Sequence, residues 1–314
     1  MIIKANVVSI IVGEYQDPQH LINLPFSEPL DFDFQLPNGQ HIASLMAHGL
    51  STENQFSRLI ELLHKLPILN EEQWQPYRHQ PVYWILPNLE QRQLIDFVAR
   101  LHALLPHCFE HPQSRFFPMG SAGVLSALNT LKATDSDTTG ATFIALDSLF
   151  FELDELGSNN ELISQQQDSG RCPAEAVIMA SINLASDGLQ VDNIFQESCS
   201  SVQQTQTIKT LFDCVSQLES ALILSQLYLP GHQANVTDNW LNAYEHLAGS
   251  IDQYTKIIQS SYFTGDIGCA AGLYNFLHIY HRYQQQNITG TSLQLEVSQQ
   301  LHLGLAMYSW IEKA

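Results

Sequence analysis

One pattern occurs twice in this chain, and few folds accommodate both copies. The first copy runs Met119-Gly120-Ser121-Ala122-Gly123-Val124-Leu125 into an amphipathic segment. It then passes through Thr139-Gly140 into Ala141-Thr142-Phe143-Ile144-Ala145-Leu146-Asp147. The second runs Asp266-Ile267-Gly268-Cys269-Ala270-Ala271-Gly272-Leu273, then through Thr289-Gly290 into Thr291-Ser292-Leu293-Gln294-Leu295-Glu296-Val297. Each reads as a small-residue turn, a helix, a Thr-Gly turn and an apolar strand. Gly123 to Gly140 spans 17 residues and Gly272 to Gly290 spans 18, the spacing of a helix that returns a chain to a parallel sheet. A solenoid would show many short periods instead. The pattern predicts an α/β protein of two similar halves, residues 1–185 and 186–314, forming one compact unit. Each half is expected to carry a mixed sheet, with helices packed between and outside.

At 314 residues the chain can bury a large core, as one domain or two intimate ones. Its 45% apolar and 14% charged content fits a soluble globular protein and leaves no disordered segment to argue for. The 13 basic side chains face 32 acidic ones, a formal charge of −19. That argues against nucleic acid and anionic membrane as partners, since phosphate binding needs clustered cations, and leaves a protein partner open. The N-terminus lacks a secretory plan, and no apolar run is long enough to span a bilayer. Cys108, Cys172, Cys199, Cys214 and Cys269 are odd in number and scattered, without a Cys-x-x-Cys pair. Zinc and a disulfide framework are not expected, and a reducing cytoplasm is the expected location.

Along the chain, residues 2–12 read as a strand and residues 14–50 as irregular, broken by Pro18, Pro25, Pro29 and Pro37. Ser51-Thr52-Glu53-Asn54 caps a helix through about Leu66. Val82–Leu86 is a buried strand, and Asn88 is placed to cap a helix from Leu89 to Leu105. Residues 173–182 read as a strand, with Asp192–Phe195 continuing a hairpin with it. A helix is expected over 203–227, stopped by Pro230-Gly231. Ala234–Asp238 reads as a strand or turn, Leu241–Glu245 as a helix start, and Leu303–Ile311 as the last strand.

This ordered plan resembles the thiolase-like fold, most closely its β-ketoacyl synthase branch, from about residue 80 onward. That family carries a nucleophilic cysteine at a small-residue elbow, where this chain has Met119-Gly120-Ser121-Ala122-Gly123-Val124. The family's next strand ends in an Asp-Ser or similar pair, matched by Ala145-Leu146-Asp147-Ser148. A loop with arginine and a Gly-Glu strand follow, resembled by Arg171-Cys172-Pro173-Ala174-Glu175-Ala176. Later, Thr-Gly-His-x-x-Gly-Ala-Ala-Gly is matched by Thr264-Gly265-Asp266-Ile267-Gly268-Cys269-Ala270-Ala271-Gly272. The cysteine position is therefore Gly120 and the second histidine position Asp266. The first histidine position falls at Asn239, with His232 as a rival. The family's Gly-Phe-Gly-Gly turn is replaced by Ser298-Gln299-Gln300-Leu301.

Those replacements decide the expected function. Condensation needs a thiolate to hold the acyl chain, and Gly120 has no side chain. It needs imidazoles to stabilise an oxyanion, and an anionic Asp266 repels one. The reading is a catalytically inactive ketosynthase-like protein with no cofactor, acting through a protein partner. The partner is a second copy or an active synthase, as the resemblance implies for ketosynthase-like subunits that lack the cysteine. The resemblance also places the dimer interface on the strand before the elbow, at Phe116 and Phe117. The alternative is an acyl-thioester-binding hydrolase or transferase rebuilt around Asp266, His232 or Ser121. Any ligand is expected at Gly120, Ser121, Asp266 and Gly268, where free N–H donors of a helix start gather. The net charge disfavours acidic carrier proteins and coenzyme A.

Other tempting residues have plainer readings. Asp266 reads first as a helix cap, Cys269 as a small buried thiol, and Glu175 as a buried hydrogen-bonded carboxylate. The His107-Cys108-Phe109-Glu110-His111 cluster has no second cluster to complete a metal site. His278 and His281, among Tyr274, Tyr280 and Tyr283, read as the outer face of a helix. Ser121 lacks the Gly-x-Ser-x-Gly form of a serine nucleophile.

Overall fold

The computed structural model describes residues 1–23, 34–66, 69–134, 139–218, 222–231, 234–298 and 301–312. The first half contributes β1 (Ile2–Val12), the small hairpin β2 (Phe34–Gln35) and β3 (His41–Ile42), β4 (Val82–Ile85), β5 (Arg115–Phe117), β6 (Gly140–Ser148) and β7 (Glu175–Leu184). The second contributes β8 (Gly188–Cys199), β9 (Leu224–Tyr228), β10 (Lys256–Ile258), β11 (Thr291–Val297) and β12 (Leu301–Ile311). Apart from the hairpin, the five strands of each half lie side by side in the same sequence: β5-β4-β6-β7-β1 and β10-β9-β11-β12-β8. Their directions repeat as well. β4 is parallel to β5 and β6, and β9 is parallel to β10 and β11. The remaining pairings within each half are antiparallel. The halves join where Ile2 and Ile3 of β1 pair with Gln190 and Leu189 of β8. Each half thus has its mixed array, and the two arrays are continuous as one ten-stranded sheet.

Alternate side chains of a strand point to opposite faces, and the buried strands use both. Phe143 and Ala145 of β6 face a central layer, while Ile144 and Leu146 face an outer one. The central layer holds helices Gly123–Lys132 and Ala270–Gln284, the helical parts of the two repeats, between the two arrays. Helices Gln55–His64 and Gln91–Leu104 cover the outside of the first array, and Gln204–Leu218 covers the second. Among the described residues no helix is long and apolar enough to cross a membrane.

Several local expectations are corrected. The helix after β4 is capped by Glu90, not Asn88, through a reciprocal pair in which Gln93 accepts the Glu90 N–H at 3.0 Å. Asp192–Phe195 lies in β8 but forms no hairpin with β7, because β1 is inserted between them. The helix expected to reach residue 227 ends at Leu218, and Leu224–Tyr228 is β9. A short apolar run covered on both faces has no alternation to separate it from a buried helix end. Ala234–Leu241 is a helix, and Tyr244–Leu247 a single tight turn, where a turn and a helix start were expected. Within the stretch read as irregular, Asp17 caps the short helix Pro18–Leu21. Pro25 and Pro29 lie outside the described residues.

Candidate functional site

The first elbow follows directly from edge strand β5. Gly120 adopts a φ of +60°, which an L side chain rarely takes. A β-carbon there would stand 2.7 Å from the Ser298 hydroxyl oxygen and 2.9 Å from its β-carbon. Ser298 arrives from the end of β11, in the other half. Its hydroxyl donates to the Met119 carbonyl and accepts the Ala122 N–H at 3.3 Å. The space into which a nucleophile would project is thus held by a serine of the opposite half. Ser121 is buried, and its side chain bonds the Glu296 carboxyl. Burial pushes Glu296 up to about 6, against the lowering effect of bonds from Asn275, Gln294 and Ser121.

The second elbow is built around an ion pair. Arg171 reaches Asp266 Oδ2 through Nε at 2.8 Å and Nη2 at 2.7 Å. Asp266 Oδ1 accepts the Gly268 N–H at 3.1 Å, before the helix begins at Ala270 with Cys269 in the cap position. The expected helix cap is therefore corrected: Asp266 ties a turn to Arg171 rather than closing the helix. Cys269 is buried, and its thiol donates to the carbonyls of Leu146 at 3.1 Å and Ile85 at 3.5 Å. Burial, then the neighbouring Asp147, raises its pKa well above the ordinary thiol value, so it is a buried thiol and a poor thiolate.

Asp147 is the site residue that sequence reasoning passed over. It is the penultimate residue of β6, with 4% exposure. Its Oδ2 accepts the Cys269 N–H at 2.7 Å and its Oδ1 the Ser148 N–H at 2.8 Å. Gly268, at φ +55°, permits this approach, because a β-carbon there would meet Asp147 Oδ2 at 2.1 Å. Burial is the main cause that lifts Asp147 to about 7, with Glu152 and Asp266 adding to it and the two N–H bonds opposing it. The signals in the sequence were its place at the end of the first repeat and the match of Asp147-Ser148 to the Asp-Ser pair of the resembling family. The pattern is reciprocal: Asp147 of the first half bonds the second elbow, and Ser298 of the second half bonds the first.

A cavity of about 260 Å³ lies between these elbows, with Gly120, Ser121, Asp147, Gly268, Cys269 and Ser298 in its wall. Three of the four ligand positions expected from sequence, Gly120, Ser121 and Gly268, meet there. Asp266 instead lines a neighbouring space of about 50 Å³, together with Ser121, Asn275 and Glu296. Asn239 is not in either wall: it bonds Gln204 at 2.8 Å and Thr205 at 2.7 Å in a contact between helices. His232, Gln299 and Gln300 lie outside the described residues.

The remaining candidates are dispersed. Glu175 is fully buried and clamped by Arg58, with Nε to Oε1 at 2.5 Å and Nη2 to Oε2 at 2.8 Å. The His107–His111 cluster diverges: His107 bonds the Leu69 carbonyl, Glu110 pairs with Arg78, and Cys108 is buried and pushed up to about 12. His278 is not on an outer face. It is buried, bonded to Tyr228 at 2.8 Å, and burial lowers it to about 3; Tyr274 stacks on it, while Tyr280 and Tyr283 are buried against Trp310. On β5, Phe117 packs inward against Tyr83, while the half-buried Phe116 stacks on Trp84 and Phe109.

No protein-family model and no curated protein matches the sequence. Solved structures do. The oxazolomycin ketosynthase domain OzmH KS7 of Streptomyces albus JA3453 matches with a TM-score of 0.58 at 10% identity, over 83% of this chain and 61% of that one. Xanthomonas campestris OleA with bound lauric acid and lauroyl-CoA gives 0.55 at 10% identity, over 86% of each chain. The ishigamide ketosynthase/chain length factor gives 0.52 at 12% identity, over 75% of this chain and 74% of that one. Identities this low speak to fold alone. With the repeated five-strand array and the paired elbows, they establish that this chain has the thiolase-like fold and, within it, resembles the ketosynthases.

Proposed function

We propose that the chain is a ketosynthase-like protein without condensing activity, which works by pairing with another protein, a second copy or an active synthase. The observation that carries this reading is the first elbow. Gly120 offers no nucleophile, and the Ser298 hydroxyl stands where its side chain would begin. Two features support it. The thiol in the cavity wall, Cys269, is buried, and burial and Asp147 raise its pKa well above the ordinary thiol value. Asp266, in the place of an imidazole, is committed to Arg171. One similar structure is described as a ketosynthase/chain length factor, and another as an acyl-carrier protein in complex with its ketosynthase; both descriptions concern paired proteins.

A second reading, an acyl-thioester hydrolase or transferase, has one observation in its favour. A cavity remains beside the elbow, and Asp147 in its wall sits in the range useful for acid–base work. Intact-mass spectrometry with a panel of acyl-CoA thioesters, following free CoA in the same samples, separates the two. The first reading expects no adduct and no release above the uncatalysed rate. Catalysed release that disappears in Asp147→Asn or Ser121→Ala replaces it with the second.

A further inference from the structure

A separate cavity, of about 270 Å³, lies at the starting ends of the parallel strands β9, β10 and β11. Gln226 of β9 stands in register with Lys256 of β10 and Ser292 of β11, and side chains in register project to one face of a sheet. Tyr228, two residues on, packs in the central layer, so Gln226 and Lys256 face that side too. Two tethers fasten the walls to β9: the Thr255 hydroxyl donates to the Leu224 carbonyl at 2.7 Å, and the Ser225 hydroxyl to the Thr289 carbonyl. The polar groups of the wall have capacity to spare. Gln226 is 3% exposed, yet its Oε1 has no hydrogen-bond partner, a costly state for a buried acceptor. Lys256 is exposed and, among the described residues, makes no ion pair. Asp252 Oδ1 accepts the Tyr254 N–H at 2.8 Å and the Thr255 N–H at 3.1 Å, which fixes its turn; Oδ2 takes neither bond. Ile223, Ile288 and the exposed ring of Tyr254 supply an apolar side. A ligand of one sign meets a like charge here as well as an opposite one. A small zwitterion satisfies both.

We propose that this cavity binds a free α-amino acid with an aromatic or large apolar side chain. The ligand's carboxylate pairs with Lys256, its ammonium donates to Gln226 Oε1 and Asp252 Oδ2, and its side chain lies on Ile223, Ile288 and Tyr254. The ammonium supplies the charged donor that the buried amide lacks. Rotation about the last side-chain bond of Gln226 exchanges its oxygen and nitrogen, so the acceptor can turn toward the ligand without moving the strand. The volume lies just under the ~300–1,000 Å³ of ordinary small-molecule sites, which suits one amino acid. A peptide fits less well, because an internal residue carries neither charge and a terminal one only one of the two. The inference does not rest on the proposed partner role, since no group of either elbow takes part.

Isothermal titration calorimetry on the full chain at neutral pH and fixed ionic strength tests it. L-Phenylalanine is the probe. Phenethylamine lacks its carboxylate, N-acetyl-L-phenylalanine lacks its ammonium and glycine lacks its side chain. Phenylalanine is expected to bind saturably at one site. Each of the other three is expected to bind at least about tenfold more weakly, the difference made by one charged hydrogen bond or a buried side chain. Lys256→Gln changes an exposed position and should weaken phenylalanine about three- to tenfold. Gln226→Leu removes the amide and should weaken it about tenfold. Should that buried variant not fold, Lys256→Gln decides alone. The proposal is overturned by any of three results: no saturable binding of phenylalanine, phenethylamine or N-acetyl-L-phenylalanine binding as tightly as phenylalanine, or an affinity unchanged in Lys256→Gln.

Discussion

Asp147 and Gly120 sit in the cavity wall, and each makes a measurable claim. An acid whose folded pKa is raised binds its proton more tightly when folded. Its contribution to stability is full below the unfolded value and is lost as pH rises through the folded one. For Asp147 that window runs from 3.8 to about 7. At about 1.4 kcal/mol per unit the loss is on the order of 4 kcal/mol. Glu296, raised to about 6, acts in the same sense. His278, lowered to about 3, acts oppositely, losing its contribution as pH falls below 6.5. The total curve therefore hides each term, and comparison with a variant isolates one. Urea unfolding at pH 4.5, 6 and 7.5 should show the stability of the wild type relative to Asp147→Asn falling steadily with pH. A flat difference would mean that Asp147 does not titrate there. At the first elbow, Gly120→Cys forces a side chain into a left-handed backbone, at about 1–2 kcal/mol, and against Ser298. In the double variant with Ser298→Gly, part of the total loss should be recovered, a coupling of about 0.5–3 kcal/mol by a double-mutant cycle. Strict additivity would show that Ser298 is not what excludes a side chain. The missing side chain at Gly120 was visible in the sequence. What replaces it was not, because Ser298 lies in the other half and meets the elbow only when the sheet closes.

Legibility varied among the elements with how each strand is covered. β4 and β6 are buried on both faces, and their continuous apolar runs between turn residues identify them. β9 is covered too, but it follows a helix closely, and its apolar run was absorbed into that helix. β11 was read as a strand, but its covering is not legible from its pattern. Ser292, Gln294 and Glu296 alternate with Leu293, Leu295 and Val297, the pattern of a strand with one face in water. Here the polar face is buried. Gln294 bonds the Gly272 carbonyl and receives Tyr308, while Asn275 and Gln294 both donate to Glu296. Polar groups can be buried when they satisfy one another, and pattern alone does not distinguish such a network from solvent. The repeat survives these local misreadings because it rests on two elbows and two Thr-Gly turns, whose backbone demands do not depend on what lies outside.

Among the described residues, the ten-stranded sheet has two edges, β5 and β10. An unpaired edge is a ready template for another chain, and the two are related by the internal repeat, yet their surroundings differ. β5 runs straight into the first elbow, so a partner seated along it lies within reach of Gly120 and the Ser298 contact. β10 bears the exposed Lys256 and Ile257 and leads to the Asp266 turn, which Arg171 already holds. On the proposed function, the elbow is most accessible to a partner through β5, and this is the edge through which self-pairing is expected. Placing a cysteine at each edge, Arg115→Cys in one variant and Ile257→Cys in another, allows a direct comparison. A short bifunctional maleimide at high protein concentration should link protomers through residue 115 and not through residue 257, with light scattering of the untreated wild type reporting a dimer. Linkage through residue 257 alone would move the interface to the other half, and a clean monomer would remove self-pairing and leave an active synthase as the proposed partner.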